Sequence, residues 1–273
     1  MRISLIAGDF QAPYHDPRAF ELLMRIGEEL QPDDLAINGD FVDWRVMSDH
    51  FPIRGERPDL AMTLRDELLT QRGLLIEMVQ RIKPKRKKFT CGNHEWRLYR
   101  ALSKQQNVLD LLQIPSIAEK LSVESILGLT ELGFECAGEY PNGMWLFEGK
   151  PHDRNVWIEH GYFTRKNSGY MATALLTERM TNVVVGHGER LAIKWKRAVG
   201  GRHFFGAEQG NLSILAEPAG KGIYSTVPHT APEFLDHQQG FLVLYTDRFG
   251  NFYPVPVAIF DGRTVFNGKE YEV

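Results

Sequence analysis

The stretch Leu35-Ala36-Ile37-Asn38-Gly39-Asp40 constrains this chain more than any other. A short apolar run bounded by turn residues reads as a buried strand rather than as one face of a helix. The Gly-Asp that ends it sets a carboxylate at the carboxyl edge of a sheet, where open α/β sheets bind their ligands. The preceding residues supply the rest of the unit. Ile3 to Ala7 reads as a first buried strand, Asp16-Pro17 as a helix cap and first helical position, and Phe20, Leu23, Ile26 and Leu30 recur at helical spacing up to Gln31-Pro32. Strand, helix and strand in that order imply parallel pairing.

The same device recurs downstream. Leu60, Leu64, Leu68, Leu75, Val79 and Ile82 mark one face of a long helix starting near Asp59, weakened at Gly73. A short third strand, Phe89-Thr90-Cys91, follows the basic run Arg81 to Lys88 and leads into Gly92-Asn93-His94-Glu95. From Trp96 to about Leu132 the pattern is helical but broken, with Pro115 as a stop and Ser116 to Glu119 as a capping box, which suggests a helical insertion over a site. Short strands then follow at Phe134 to Ala137, Met144 to Phe147, Val156 to Glu159 and Val183 to Val185, with a helix from Tyr170 to Met180 before the last. In the remainder, Phe241 to Tyr245 and Phe252 to Phe260 alternate as strands, and Pro254 and Pro256 suit a sheet edge.

A length of 273 residues can bury a sizeable core, and 43% hydrophobic with 25% charged residues argues against disorder. No internal repeat or linker divides the chain, so a single domain over 1–273, with an insertion at about 96–132, is the simplest organisation. The net charge of −3 gives no global drive toward nucleic acid or anionic membrane. Cys91 and Cys136 are too few for a disulfide scaffold and lack zinc-ligand spacing. The first apolar run is too short for a signal peptide, and no stretch approaches the roughly 20 apolar residues of a membrane span. A cytoplasmic protein with no membrane association is expected; the oligomeric state is left open.

Five polar clusters sit just past strands: Asp9-Phe10-Gln11, Gly39-Asp40-Phe41-Val42-Asp43, Gly92-Asn93-His94-Glu95, His160-Gly161 and Gly186-His187-Gly188-Glu189. Glycine lets the backbone turn sharply and aim a side chain inward, and the two oxygens of Asp40 can hold two cations at once. In this order, over residues 3 to about 189, the clusters resemble the calcineurin-like metallophosphoesterase superfamily, with its DxH, GDxxD, GNH[DE], lone His and GHxH. The resemblance implies a two-sheet β-sandwich flanked by helices, of α/β class (α+β by some schemes). It also implies a phosphoesterase that holds two divalent ions and attacks with a hydroxide bridging them. One ion would be held by Asp9, Gln11, Asp40 and Glu189, the other by Asp40, Asn93, His160 and His187. His94 would protonate or stabilise the leaving oxygen, with Glu95 or Asp43 orienting its ring.

Two positions depart from that pattern. Gln11 stands where DxH has His, and Glu189 stands where GHxH has its second His. Both changes fall on one ion, which is left with four oxygen donors. Oxygen suits Mn²⁺ or Mg²⁺ and imidazole suits Zn²⁺ or Fe²⁺, so Mn²⁺ is expected first and Mg²⁺ next. The alternatives are a single-metal site and a non-catalytic scaffold with a degenerate site. His15 is expected to touch substrate or Asp16; His152, His203, His229 and His237 have no recognisable spacing and read as ordinary surface or core residues. The run Arg81 to Lys88 reads as a solvated loop. The second basic region, Arg190, Lys194, Lys196, Arg197 and Arg202 interleaved with Trp195, His203, Phe204 and Phe205, can stack bases and hold phosphates. It tips the expectation toward a phosphodiesterase or nuclease-like enzyme acting on nucleotides or DNA, with a small-molecule or protein phosphomonoesterase as the alternative.

Overall fold

The computed structural model describes residues 1–48, 63–148, 154–215 and 236–273. Along the chain come β1 (Arg2–Ala7), α1 (Pro17–Leu30), β2 (Asp34–Asn38), a 3-10 turn (Arg45–Met47), α2 (Leu64–Ile82) and β3 (Arg86–Thr90). The connection from β3 to the next strand is made of four short helices, α3 (Trp96–Ser103), α4 (Gln106–Leu112), α5 (Pro115–Lys120) and α6 (Val123–Leu127). There follow β4 (Phe134–Cys136), β5 (Met144–Phe147), β6 (Val156–Glu159), α7 (Tyr170–Arg179), β7 (Asn182–Val185), β8 (Leu191–Arg197) and β9 (His203–Gln209). The chain ends in β10 (Gly240–Thr246), β11 (Phe252–Ala258), β12 (Arg263–Phe266) and β13 (Lys269–Glu272).

Two sheets carry the architecture, in the orders β11-β10-β1-β2-β3-β4 and β5-β6-β7-β9-β8, with β12 and β13 as a separate hairpin. Strand periodicity sorts the side chains into layers. Ile6, Ala36, Leu242 and Leu244 of the first sheet pack against Leu146, Ile158, Val184, Phe205 and Ala207 of the second. The alternate residues Leu5, Ala7, Leu35, Ile37, Phe89 and Val243 face Leu22, Leu23, Ile26, Leu75 and Met78 of α1 and α2. On the far side of the second sheet, Val183 and Val185 pack on Met171, Leu175 and Leu176 of α7. The result is the helix-flanked two-sheet sandwich of the sequence reading. Strands buried on both faces are continuously apolar, which is why their extents were readable.

The local chemistry of the termini mostly follows the expectation. Asp16 caps α1, its Oδ1 accepting from the Arg18 amide at 2.9 Å, and β11 with Pro254 and Pro256 is an edge strand. Three readings are corrected. Within the described residues α2 begins at Leu64 behind the cap Thr63, while Asp59 and Leu60 lie outside them. Pro115 opens α5 as its first residue instead of stopping a helix, because its missing N–H costs nothing there, and the cap is Ile114 without a side-chain bond, so Ser116 to Glu119 is no capping box. β3 starts at Arg86 rather than Phe89.

Of the run Arg81 to Lys88, read as a solvated loop, only 83–85 is a loop, with Lys83 and Lys85 exposed; Arg81 ends α2, and Arg86 to Lys88 belong to β3. Arg81 bonds Glu21, Glu28 and Glu77 at 2.6–2.7 Å, tying α2 to α1. Lys85 pairs with Asp33, Arg86 with Asp34 and Lys88 with Glu135, so the run is stapled to acidic neighbours. Asp34 is buried and accepts from Arg2, Ser4 and Arg86 at 2.6–2.9 Å.

Candidate metal centre

β1, β2 and β3 are mutually parallel in one sheet, and β6 and β7 in the other. Five carboxyl ends therefore open toward one place, and each carries one of the five clusters. Asn38 joins the two sheets beneath it. Its Nδ2 donates to the carbonyl of Glu159 at 3.0 Å and to Gln209 Oε1 at 2.9 Å, its Oδ1 accepts from Thr90 Oγ1 at 2.7 Å, and its carbonyl lies 3.1 Å from His160 Nδ1. A buried Asn in an otherwise apolar strand was the available signal for this role, since a buried amide must be satisfied.

The backbone is held unusually at the site. Asp9, Gln11, Asp40, His187 and Glu189 all have φ between 48° and 63°, in the left-handed region that non-glycine residues seldom enter. Such conformations cost of order 1–3 kcal/mol each and persist where surrounding structure imposes them. Glycine is equally required beside them. A Cβ on Gly92 would stand 2.1 Å from Asp40 Oδ1, and one on Gly39, itself at φ +80°, 2.4 Å from the His160 ring.

These turns bring Asp40, His160 and His187 together, one ligand atom of each lying within 4.8 Å of the others. His160 Nε2 is 3.2 Å from Asp40 Oδ2 and 3.2 Å from Asn93 Oδ1. Asp9 is buried beside them, its Oδ2 accepting from the His187 amide at 3.2 Å and from Gln209 Nε2 at 3.3 Å. Its other oxygen, Oδ1, is buried with no hydrogen-bond partner. Gln11 and Glu189 meet each other, Gln11 Nε2 donating to Glu189 Oε1 at 3.1 Å. Glu189 Oε2 takes a bond from Asn211 Nδ2 at 3.3 Å and faces His237 Nδ1 at 3.0 Å.

Charge follows this packing. Burial alone would raise the Asp40 carboxyl, but the charges of His160 and His94 and their hydrogen bonds outweigh it and hold Asp40 well below the usual range. Burial works against protonating His160, yet Asp40 and then Asp9 push it up to about 10. Asp9 is raised well above a normal carboxyl by burial and by the nearby charges of Asp40 and Glu189. His187 is lowered to about 4 by burial and by His160. Buried carboxylates, a neutral imidazole, an amide oxygen and an orphaned carboxylate oxygen are a donor set that fits a divalent cation: Asp40, Asn93, His160 and His187 would hold one, and Asp9, with Gln11 and Glu189, would border a second.

His94 lies alongside. Its Nδ1 is 2.9 Å from Asp43 Oδ1, and its Nε2 is 3.8 Å from Asp40 Oδ2 and 3.0 Å from Arg97 Nη2. Arg97 Nη1 also binds Asp43 Oδ1 at 2.7 Å. Asp43 is thus the residue that orients the ring. Glu95 is not: it is wholly buried and accepts the amides of Asp40, Phe41, Val42 and Gly92 at 2.7–3.1 Å, locking the second and third clusters together.

His15 packs edge-on against Phe20 at 5.6 Å, and the Asp16 carboxylate is taken by Arg18 and Gln239. His237, read as an ordinary residue, belongs instead against Glu189; nothing in its sequence neighbourhood announced it, and the same holds for Gln209 and Asn211. His152 and His229 lie outside the described residues. The second basic region starts beside Glu189 but runs away from it. Arg197 pairs with His203 at the other end of the β8–β9 ladder, about 20 Å along the strand at roughly 3.3 Å per residue. There Trp195, Arg202, His203 and Tyr253 border a separate cleft of about 660 Å³. Phe204 and Phe205 are buried, and Arg190 is held by Asp236 and the carbonyl of Arg165.

No family model matches the sequence, and no curated protein matches it. Solved structures do align over nearly the whole chain. Vacuolar Protein Sorting 29 from Cryptosporidium parvum is 14% identical with a TM-score of 0.46, covering 100% of this chain and 98% of that one. Wild-type Vps29 from Entamoeba histolytica, in a complex with Zn²⁺, is 11% identical with a TM-score of 0.45, covering 99% and 98%. Yfce, a phosphoesterase from E. coli, is 13% identical with a TM-score of 0.40, covering 93% and 98%. At this level of identity the likeness is one of fold.

Proposed function

We propose that this chain is a divalent-metal-dependent phosphoesterase. The observation that supports it most is the meeting of buried Asp9, Asp40 and His160 with half-buried Asn93 and His187, with a carboxylate oxygen left unpartnered among them. Bound there, divalent ions supply Lewis acidity toward a phosphoryl oxygen and lower the pKa of water. The protein's own contribution is orientation and proton placement. Asp43 lies 2.9 Å from one ring nitrogen of His94, so the other faces the cluster; in the neutral ring that nitrogen accepts from Arg97 Nη2 at 3.0 Å, and in the protonated ring it can give a proton or hydrogen bond to the departing ester oxygen. Burial opposes a charged His94, but Asp40 and Asp43 raise its pKa and keep more of the acid form at neutral pH. Arg97, held against both Asp43 and His94, puts a fixed positive charge where phosphoryl oxygens would lie.

Oxygen donors from Asp9, Gln11, Asp40 and Glu189 favour Mn²⁺, then Mg²⁺. A single-metal reading has its own support: Gln11 and Glu189 are bonded to each other, and Glu189 also meets Asn211 and His237. Metal content after Mn²⁺ reconstitution decides between them, two ions per chain supporting the pair and one supporting the second reading. Since Arg197, Arg202 and His203 sit far from the cluster, a preference for phosphodiesters rests on the guanidinium groups of α3 instead. The free thiols Cys91 and Cys136 suit a cytoplasmic location.

The test is turnover of an aryl phosphate monoester and a bis-aryl diester by chelated protein given Mn²⁺, Mg²⁺ or Zn²⁺. We expect Mn²⁺-dependent cleavage, faster on the diester, and none by Asp40→Ala. Protein that binds Mn²⁺ at this cluster but turns over neither ester overturns the enzyme and leaves a scaffold.

A further inference from the structure

A cleft of about 380 Å³ opens directly beside Asn93, lined by Met47, Asn93, Trp96, Arg97, Arg100 and Tyr140. Its main wall is α3, which grows out of the third cluster without a break: the Trp96 amide bonds the carbonyl of Gly92 at 3.2 Å and the Arg97 amide that of His94 at 3.1 Å. Arg97 and Arg100 are three residues apart and share a helix face. Tyr140 also lines it, its ring edge-on to His160 at 6.4 Å, and the Trp96 ring is backed by Tyr99 at 5.1 Å. Among the described residues the lining has two guanidinium groups, an indole and a phenol, and no carboxylate.

We infer that this cleft is a subsite for one nucleoside-phosphate unit, with the base against Trp96 and Tyr140 and the phosphate under Arg97 and Arg100. This rests on the phosphoesterase reading of the adjoining cluster and goes beyond it by naming what is esterified. Indole and phenol faces stack any base, and paired guanidinium groups match phosphate oxygens in geometry as well as charge. A sugar phosphate or phosphorylated side chain would use the cations and leave the aromatic walls idle. The volume lies in the range of small-molecule sites and suits a single unit, not a stacked run. The larger cleft around Trp195 and Arg202 has similar chemistry but stands at the far end of β9, which makes it an internal control.

The full chain, chelated and Mn²⁺-loaded, is titrated calorimetrically with adenosine 5′-monophosphate, adenosine and inorganic phosphate. The nucleotide is expected to bind more tightly than either fragment. Trp96→Ala should weaken it about five- to hundredfold, the range that base stacking on a side chain supplies, and Trp96→Phe should keep most of the affinity. Arg100→Gln, at an exposed position, should also weaken it and guards against a folding defect at Trp96, whereas Arg202→Gln should change nothing. A parallel titration with a single-stranded pentanucleotide tells a free nucleotide, bound equally well, from the end of a strand, bound better. Nucleotide binding no tighter than phosphate, or binding that falls with Arg202→Gln and not with Trp96→Ala, overturns the subsite. If aryl esters are hydrolysed but the nucleotide is not preferred, this inference alone fails; if the nucleotide binds through Trp96 but no ester is cleaved with any metal, only the catalytic reading fails.

Discussion

His94 illustrates how much of this site's chemistry resides in the neighbours of a residue. Its ring is clamped between Asp43 and Arg97, so removing the ring and releasing it should differ in effect. His94→Ala should slow ester cleavage by about 10²- to 10⁴-fold, the usual share of a positioned acid. Metal content, read by elemental analysis, should stay unchanged. Asp43→Asn keeps the ring but loses its charged partner, so a smaller loss is expected, with the alkaline limb of the pH–rate profile, where the proton donor is titrated away, moved to lower pH because Asp43 helps raise the His94 pKa. An unmoved profile would take Asp43 out of that role. Gly92→Ala tests geometry without touching a ligand: the new methyl carbon would fall 2.1 Å from Asp40 Oδ1, and cation binding should be lost.

At the scale of elements, Glu95 is the joint on which the second and third clusters turn. Glu95→Ala would strand four buried amides, and since each unsatisfied donor costs about 1–3 kcal/mol, a loss of about 4 kcal/mol or more is expected in urea unfolding. A variant as stable as the parent would mean that water replaces the carboxylate. Glu95 also marks where the sequence stopped being informative. The ends of β5 and β6 were legible because apolar runs buried between two layers stop where the turn begins, and Gly39, Gly92 and Gly186 marked where side chains could converge. The partner of Glu95 was not legible, since four backbone amides leave no residue-type signature. His237, Gln209 and Asn211 reach the centre only through the way the later strands return to it, and no local spacing encodes that. Pro115 was misread for a local reason: the same residue ends one helix pattern and begins another.

Over the whole molecule, Asp34 is a buried acid away from the centre that contributes to the response to pH. Burial would raise Asp34, but Arg2 and Arg86 lower it below its ordinary value. Its contribution is therefore present above the unfolded-state pKa, about 3.9, and is lost as pH falls through the lower folded value. Asp34→Asn should cost about 1.5–3 kcal/mol at pH 7, the worth of a hydrogen bond to a charged group. Its stability should also vary less with pH below about 4 than the parent's; parallel curves would show that Asp34 is not what makes the fold acid-labile.

One feature of the layering bears on how such a protein is kept intact. Asp9, Asp40 and Asn93 hang from one sheet, His160 and His187 from the other, and Asn38 and Gln209 lace the two beneath them. Each sheet thus owns half a socket, and a cation seated there acts as a clasp across the sandwich. Mn²⁺ at about a hundred times its dissociation constant should add about 2.7 kcal/mol and raise the melting midpoint by several degrees, an increment that Asp40→Ala forfeits. Scarcity of the ion would then loosen the molecule.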